Sequence, residues 1–237
     1  PIGAGRNCVD AKKAFHYKKD GIQVAVLAAS NVFRNYINSG VKSTCVFRVQ
    51  NVDDIKPFIR NAKEQGADIV IISMHWGDRF TSTPHSRVQN LAENIIDAGA
   101  DIILGHHPEV LQPIEVYQAK DGRIGVIAYS LGSIVNSNGT AYKAFVQEPA
   151  QGNTRDAGVL QLDLIKRDYG DDTIVTEINN VQFIPAWITH NPENSKLPAI
   201  FPRLIDDQIL TVNSEISVVS GDKDSLYKKR ELEFLFQ

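Results

Sequence analysis

The first half of the chain alternates between short apolar runs and amphipathic segments. Four apolar runs predict strands, and they cover residues 22–30, 44–49, 67–74 and 100–105. Two amphipathic segments carry apolar side chains at helical spacing, and they cover residues 51–66 and 86–98. Asn51 is suited to a helix N-cap, while Gly66 and Gly99 are suited to helix ends. This order predicts two successive helix–strand units, each with the phrase Gly-Ala-Asp-Ile at the strand and histidine after it.

The second half of the chain is richer in strand-like segments separated by glycine, aspartate and asparagine. These segments cover residues 111–117, 123–135, 158–166 and 173–188. The region 156–190 alternates in places between apolar and polar side chains, as half-exposed antiparallel strands do. Residues 203–210 and 225–236 are helix candidates. Together the elements predict a layered α/β or α+β fold in one domain of residues 1–237.

Composition and charge exclude some classes of partner. The chain has 237 residues, of which 43% are hydrophobic and 22% charged, which is enough for a packed core. A net charge of −3 gives no general attraction to nucleic acid or anionic lipid. The apolar runs are far shorter than the roughly 18 residues of a membrane span, so we expect no nucleic-acid partner and no membrane segment in this chain.

The cysteines and the chain ends give weaker indications. Cys8 and Cys45 could form a disulfide, but two unpaired thiols are the more frequent outcome, and the redox compartment stays open. The chain begins at Pro1, which indicates the interior of a longer chain or a processed end. Residues 232–237 (LEFLFQ) resemble the remnant of a tag-removing protease site, and equally a natural amphipathic tail.

Histidines follow two of the predicted buried strands at equivalent places. His75 comes directly after the strand 67–74, and His106 and His107 follow the strand 100–105. Because ligands gather at the carboxyl ends of parallel strands, both groups are expected to face one crevice. One strand-end histidine is most often an ordinary loop residue. Two matched groups favour a metal site, since neutral imidazole is a good ligand for zinc, manganese or iron.

Other residues near these strand ends are candidates for supporting roles. The carboxylates close in sequence are Asp78, Glu109 and Glu115. The candidate substrate contacts are Trp76, Gly77 and Ser130. Trp76 could stack on a substrate or be a buried anchor beside the site. Small residues around Ser130 would allow a ligand to approach the backbone, although a tight turn explains them equally well.

Four phrases in this order give the chain a recognisable signature: HWG (75–77), IDAGAD (96–101), GHHPEVLQPIE (105–115) and YSLG (129–132). With them the chain resembles the CapA/PgsA family of capsule-synthesis proteins linked to poly-γ-glutamate. That family lies within the calcineurin-like metallophosphoesterase superfamily. The resemblance is clear from about residue 67 to 135.

The resemblance implies a metallophosphatase-like four-layer β-sandwich flanked by helices, with a dinuclear centre of divalent ions (Mn, Fe or Zn). It implies that His75, His107 and Glu109 are metal ligands. His106 is then the best candidate for a catalytic residue that stabilises charge or protonates a leaving group.

The chain departs from the family pattern at several positions. Glu109 stands where the family usually has His, Arg79 where it often has Glu, and Ser133 where it often has Asn. A carboxylate at 109 can still bind a hard metal. The superfamily's first ligands would precede residue 1, so we expect a carboxyl-terminal portion that lacks its amino-terminal strands. The expected partners are that missing portion or other capsule-synthesis proteins.

Three functions follow from the resemblance. The first is a metal-dependent phosphoesterase-type protein of capsule biosynthesis. The second is a non-catalytic component of capsule assembly or polymer export on the same fold. The third is a metal-dependent amide hydrolase that acts on a polymer. The family implies a cell-surface or extracytoplasmic location, while the residues alone leave a cytoplasmic one open.

Overall fold

A six-stranded mixed sheet is the centre of the protein. The structure, a computed structural model, describes residues 1–32, 45–135, 153–170, 173–190 and 200–204. The strands of the sheet are β2 (Phe15–Lys19), β3 (Ile22–Ser30), β5 (Ile69–His75), β6 (Ile102–His106), β7 (Ile114–Gln118) and β8 (Ile124–Ala128). Their order is β2-β3-β5-β6-β8-β7. Strands β3, β5, β6 and β8 run parallel, and the outer strands β2 and β7 are antiparallel to their neighbours.

Two helices cover one face of this sheet. They are α2 (Lys56–Glu64) and α3 (Ser86–Asp97), and a shorter helix, α1, spans Cys8–Ala11. Val70, Ile72 and Met74 of β5 have no exposed surface and belong to the same apolar core as Ile59 of α2 and Ile95 of α3. The side chains at the alternate positions of β5 therefore point to the opposite face.

A capping box starts the α2 region as the sequence predicts. The Asn51 side chain accepts from the backbone N–H of Asp53, and the Asp54 carboxylate accepts from the backbone N–H of Asn51. A 3-10 turn, Val52–Asp54, then leads into the helix. Gly66 and Gly99 follow α2 and α3 with φ of 87° and 112°, a conformation that glycine adopts without strain.

The aspartates of the two Gly-Ala-Asp phrases bind neighbouring strands at the amino ends of the parallel strands. The Asp68 carboxylate accepts from the backbone N–H of Gln23 in β3 at 2.7 Å. The Asp101 carboxylate accepts from the backbone N–H of Val70 in β5, also at 2.7 Å. Asp101 is nearly buried and pairs with Lys63 at 2.7 Å and with Arg123 at 2.9 Å. Each aspartate therefore ties its own strand to the preceding one.

Two smaller sheets complete the described structure. Strands β1 (Ala4–Gly5) and β4 (Cys45–Val46) pair antiparallel. A disulfide joins Cys8 to Cys45, which corrects the expectation of two unpaired thiols. The β1–β4 pairing is the physical reason, because it brings two distant parts of the chain within bonding distance.

The third sheet is antiparallel, in the order β11-β10-β9. Its strands are β9 (Asp156–Asp168), β10 (Ile174–His190) and β11 (Ile200–Leu204), and a 3-10 turn, Asn153–Arg155, precedes β9. Near the start of β9, Gly158 N–H donates to the Leu131 carbonyl. Near its end, Lys166 binds the Asp68 carboxylate at 2.9 Å and the Gly21 carbonyl at 3.2 Å. Strand β9 is thus tied to both ends of the large sheet.

Most of the predicted elements are confirmed, and the fold is α+β. The strand predicted at 44–49 is limited to the two residues of β4. The helix predicted at 203–210 is wrong at its start, because Arg203 and Leu204 belong to β11 and pair with β10. The rest of that segment, the helix predicted at 225–236 and the residues 232–237 lie outside the described residues. Within the described residues, the helices are too short or too polar to cross a membrane.

We predict that the disulfide is a large contributor to stability. Reduction, or the change Cys8→Ser with Cys45→Ser, is expected to lower the free energy of unfolding by about 2–4 kcal/mol, because the unfolded chain regains the freedom of a long loop. Thermal unfolding with and without a reducing agent measures the effect. The double serine variant is the control, since a reducing agent that shifts its midpoint equally would contradict the prediction.

We also predict that Asp101 contributes more than an exposed ion-pair residue. Asp101→Asn leaves Lys63 and Arg123 without the carboxylate that both contact, so the free energy of unfolding should fall by about 2–4 kcal/mol. Glu64→Gln in the exposed Arg60–Glu64 pair is the matched control and should cost less than about 1 kcal/mol. Chemical denaturation compares the two, and equal losses would contradict the argument.

Candidate metal site

The carboxyl ends of β5 and β6 place two histidines side by side. His75 and His106 are the last residues of these strands and are register partners in the parallel pair. Adjacent partners in parallel strands point to the same face. Their neighbours Met74, Trp76 and Gly105 are buried, whereas both histidines are exposed. The two imidazoles therefore project on the face opposite α2 and α3, as the spacing of the sequence motifs predicts.

His107 turns back toward His75 from the next position of the chain. The ring centroids of His75 and His107 lie 4.5 Å apart, with the rings tilted by 59°. His107 has a φ of 102°, which is uncommon for a residue with a side chain. The site thus holds three imidazoles from two loops.

The residues at the end of β3 lie beside His75 and contact its backbone. Ser30 is the register partner of His75, and its hydroxyl donates to the Val32 carbonyl at 2.8 Å. The backbone N–H of Asn31 donates to the His75 carbonyl at 2.8 Å. The sequence showed small residues at the end of the 22–30 strand, but Ser30 and Asn31 belong to no motif and were not predicted as site residues.

Desolvation by the surrounding protein favours the neutral form of all three imidazoles. It lowers the pKa of His75, which the nearby charges of His107 and His106 lower further. It also lowers the pKa of His106. For His107, burial and the Arg79 guanidinium lower the pKa, against the opposing effect of Glu109. A neutral imidazole offers a ring nitrogen to a metal ion, whereas a protonated one cannot.

The predicted carboxylates all have other partners. Nη2 of Arg79 lies 2.8 Å from both Oε1 and Oε2 of Glu109. Asp78 lies 2.7 Å from Nε2 of His85. Glu115 accepts from the Tyr129 hydroxyl at 2.7 Å, and this carboxylate and burial raise the pKa of Tyr129. Arg79 and Glu109, two of the three residues that depart from the family pattern, therefore contact each other.

Two of the three candidate substrate contacts lie inside the protein. Trp76 has no exposed surface, and its Nε1 donates to the Tyr129 carbonyl at 3.0 Å. A side chain at Gly105 would overlap that same carbonyl, so glycine before the two histidines allows this close packing. Ser130 is 1% exposed, and its hydroxyl accepts from the backbone N–H of Gly132. Burial therefore favours the alternative interpretations of Trp76 as a core anchor and of Ser130 as a turn residue.

Gly77 occupies the turn that leaves β5. Its φ is 76°, and a Cβ there would meet Pro108 at 3.7 Å, which is an ordinary contact. The backbone conformation, more than lack of space, therefore explains glycine at this position.

The side chains brought together here are an incomplete set of metal donors. Nitrogen donors from His75 and His107 are close together and neutral, which suits a metal such as zinc. In the described ranges, no three or more His, Cys, Asp or Glu side chains are arranged to hold a metal ion. The residues present therefore fit an incomplete ligand set, and Glu109 is engaged by Arg79.

Comparison with known proteins gives consistent family matches. A family model described as "Bacterial capsule synthesis protein PGA_cap" matches residues 1–138. The chain is 37% identical over 170 residues to the PGA biosynthesis protein CapA of Bacillus subtilis, covering 71% of this chain and 40% of that protein. It is 35% identical over 176 residues to the capsule biosynthesis protein CapA of Bacillus anthracis, covering 69% and 39%.

The chain thus spans about two fifths of the length of these curated relatives. Among solved structures, one described as a 5'-nucleotidase of Staphylococcus aureus in complex with alpha-ketoglutarate aligns with a TM-score of 0.44 at 14% identity. That alignment covers 90% of this chain and 36% of the other.

We predict that these histidines make the protein less stable in acid. With folded pKa values below the usual value of about 6.5, the unfolded chain binds protons that the folded site resists. The resulting stability is complete above about pH 6.5 and is lost as the pH falls through the folded pKa values. Unfolding midpoints in metal-free buffer at about pH 7.5 and about pH 5 should differ less in His106→Gln than in the wild type, and equal differences would contradict this origin.

Proposed function

The chain belongs to the bacterial capsule synthesis protein family, and from that membership we propose that it acts in capsule or poly-γ-glutamate biosynthesis through a metal-dependent, phosphoesterase-type site. One observation carries the proposal of a site. His75 and His106 are register partners at the carboxyl ends of adjacent parallel strands, and His107 packs against His75 at 4.5 Å. A structural role alone gives no reason for three neutral imidazoles at one sheet end.

In this proposal His75 and His107 hold a divalent ion of Mn, Fe or Zn. When bound, such an ion supplies Lewis acidity and an activated water for hydrolysis. The lowered pKa values of His75 and His107 would favour the unprotonated ring nitrogens that such an ion needs as ligands. Further ligands come from outside the described residues, through more of the polypeptide or another capsule-synthesis protein. Two such ions in the complete site correspond to the family expectation.

His106 is the proposed catalytic residue. Its lowered pKa makes the imidazolium scarce at neutral pH. The neutral ring still carries one N–H, which can donate a hydrogen bond to an anionic oxygen of the substrate. We therefore propose that His106 stabilises developing charge through this N–H, with protonation of a leaving group as its other candidate role.

A non-catalytic role in capsule assembly is the second candidate function. The observation that favours it is the Arg79–Glu109 pair, which engages the carboxylate expected to complete the ligand set. On this alternative the fold and its strand-end loops form a binding surface without turnover.

The disulfide supports a location outside the cytoplasm. Disulfides such as Cys8–Cys45 form and persist in oxidising compartments and are rare in the cytosol of mesophiles. We propose an extracytoplasmic or cell-surface location, as the family resemblance also implies.

We predict that the isolated chain binds a divalent metal through its strand-end histidines. Titration with Zn²⁺ or Mn²⁺ by calorimetry should show binding that weakens at least about tenfold in His75→Ala and in His107→Ala, because each removes a ligand. His85→Ala is the matched control, since this exposed histidine pairs with Asp78 and should leave the affinity unchanged.

Turnover separates the two candidate functions. Hydrolysis of bis(p-nitrophenyl) phosphate in Mn²⁺, lost in His106→Ala while metal affinity is kept, supports the phosphoesterase. Metal binding without turnover supports the assembly component. If neither the wild type nor His75→Ala binds Zn²⁺ or Mn²⁺, the metal site itself is refuted.

A further inference from the structure

The loop after β5 and the loop after β6 have strained backbone conformations and are joined to each other. Phe80, His107 and Glu109 have φ of 63°, 102° and 62°, and these are three of the five described non-glycine residues with positive φ. Each such residue costs on the order of 1–3 kcal/mol and persists only where surrounding contacts fix it. Strain is therefore concentrated at the candidate site.

Cross-loop contacts hold these conformations. The backbone N–H of Phe80 donates to the Pro108 carbonyl at 2.8 Å. The side chain of Gln112 donates to the Thr81 carbonyl at 2.8 Å. Both bonds join the loop after β5 to the loop after β6.

The Arg79–Glu109 ion pair is the charged member of this set. Both carboxylate oxygens lie 2.8 Å from the same guanidinium nitrogen, and the guanidinium carbon lies 4.7 Å above the centre of the Phe80 ring. The aromatic ring and the carboxylate together hold the guanidinium in one orientation. The ion pair is next to the Phe80–Pro108 hydrogen bond in sequence. Residues 79 and 80 of one loop contact residues 108 and 109 of the other.

We propose that Glu109 is a positioning residue, which clamps the two loops through Arg79 and so sets His107 against His75, and that it is not itself a metal ligand. The proposal deepens the metal site proposed above and rests on it for its effect on metal affinity. The clamp itself is a property of the metal-free chain.

The chain between residues 107 and 109 makes this coupling direct. The intervening residue, Pro108, is buried and has a φ fixed by its ring, so few torsions separate Glu109 from His107. A movement of Glu109 away from Arg79 is therefore passed to His107. A carboxylate that left Arg79 to bind a metal would release the same constraint, so metal binding by Glu109 would oppose the clamp.

Hydrogen exchange tests the clamp without any metal. The Phe80 amide reports on the cross-loop bond to Pro108, so its exchange should accelerate about two- to fivefold in Arg79→Gln and in Glu109→Gln, as expected for loss of an exposed ion pair. The reversed pair, Arg79→Glu with Glu109→Arg, should return the rate to near the wild-type value. Glu177→Gln is the matched control, because it breaks the similarly exposed Arg167–Glu177 pair on β9 and β10.

Metal titration with Zn²⁺ alone separates the clamp from a ligand. If Glu109 clamps, both single variants weaken Zn²⁺ binding by similar factors and the reversed pair restores it. If Glu109 is a ligand, Glu109→Gln weakens binding, Arg79→Gln strengthens it by releasing the carboxylate, and the reversed pair stays weak. The second pattern overturns the proposal, as does unchanged exchange at Phe80. If the wild type binds no Zn²⁺, the proposed metal function fails, and the exchange rates alone decide on the clamp.

Discussion

The in-register parallel pairing of β5 with β6 is the constraint on which the candidate site depends. It places His75 beside His106 on the face that the helices leave open. A slip of one residue in either strand would turn its histidine toward the helical core and bring an apolar side chain to the surface. Asp68 and Asp101 fix the register from the opposite ends of the strands, because each accepts from a backbone N–H of the neighbouring strand, Gln23 in β3 and Val70 in β5. The aspartates of the repeated Gly-Ala-Asp phrase thus fix the register at the amino ends of the strands, and the histidines lie at the carboxyl ends.

The loops beyond these strand ends have strained backbone conformations that fix the position of one side chain, His107. A chain that left β6 in a relaxed conformation would carry His107 away from His75. The positive φ at His107 turns it back, and Glu109 in the same loop and Phe80 in the loop after β5 also have positive φ. A rigid sheet edge beneath and cross-loop bonds above are what such a conformation requires. Precision at the site therefore comes from the loops, while the sheet supplies only the starting points.

Local patterns predicted the parts of the protein that local physics determines. The strand at 22–30 is observed with the same limits. Asn51, the predicted N-cap, is the N-cap observed and forms a capping box. The disulfide was not predicted, because it depends on the pairing of two-residue strands that have no periodic signal. The Arg79–Glu109 contact was also beyond the sequence, since it joins residues 30 positions apart through unusual φ values. Burial of Trp76 follows from alternation along β5, so the same reasoning that exposes His75 could have assigned it to the core.

The chemistry of the donors indicates what this part of the chain contributes to a metal site. The carboxylates nearest in sequence to the histidines are held by a guanidinium, an imidazole and a phenol, at Arg79, His85 and Tyr129. Desolvation lowers the pKa of the three imidazoles, and the rings of His75 and His107 lie 4.5 Å apart. Nitrogen donors of this kind suit zinc and iron, whereas magnesium and calcium prefer oxygen. On the metal-site proposal, a chain that offers imidazoles and binds these carboxylates elsewhere would supply nitrogen ligands, and the oxygen ligands that a hard ion needs would come from other residues.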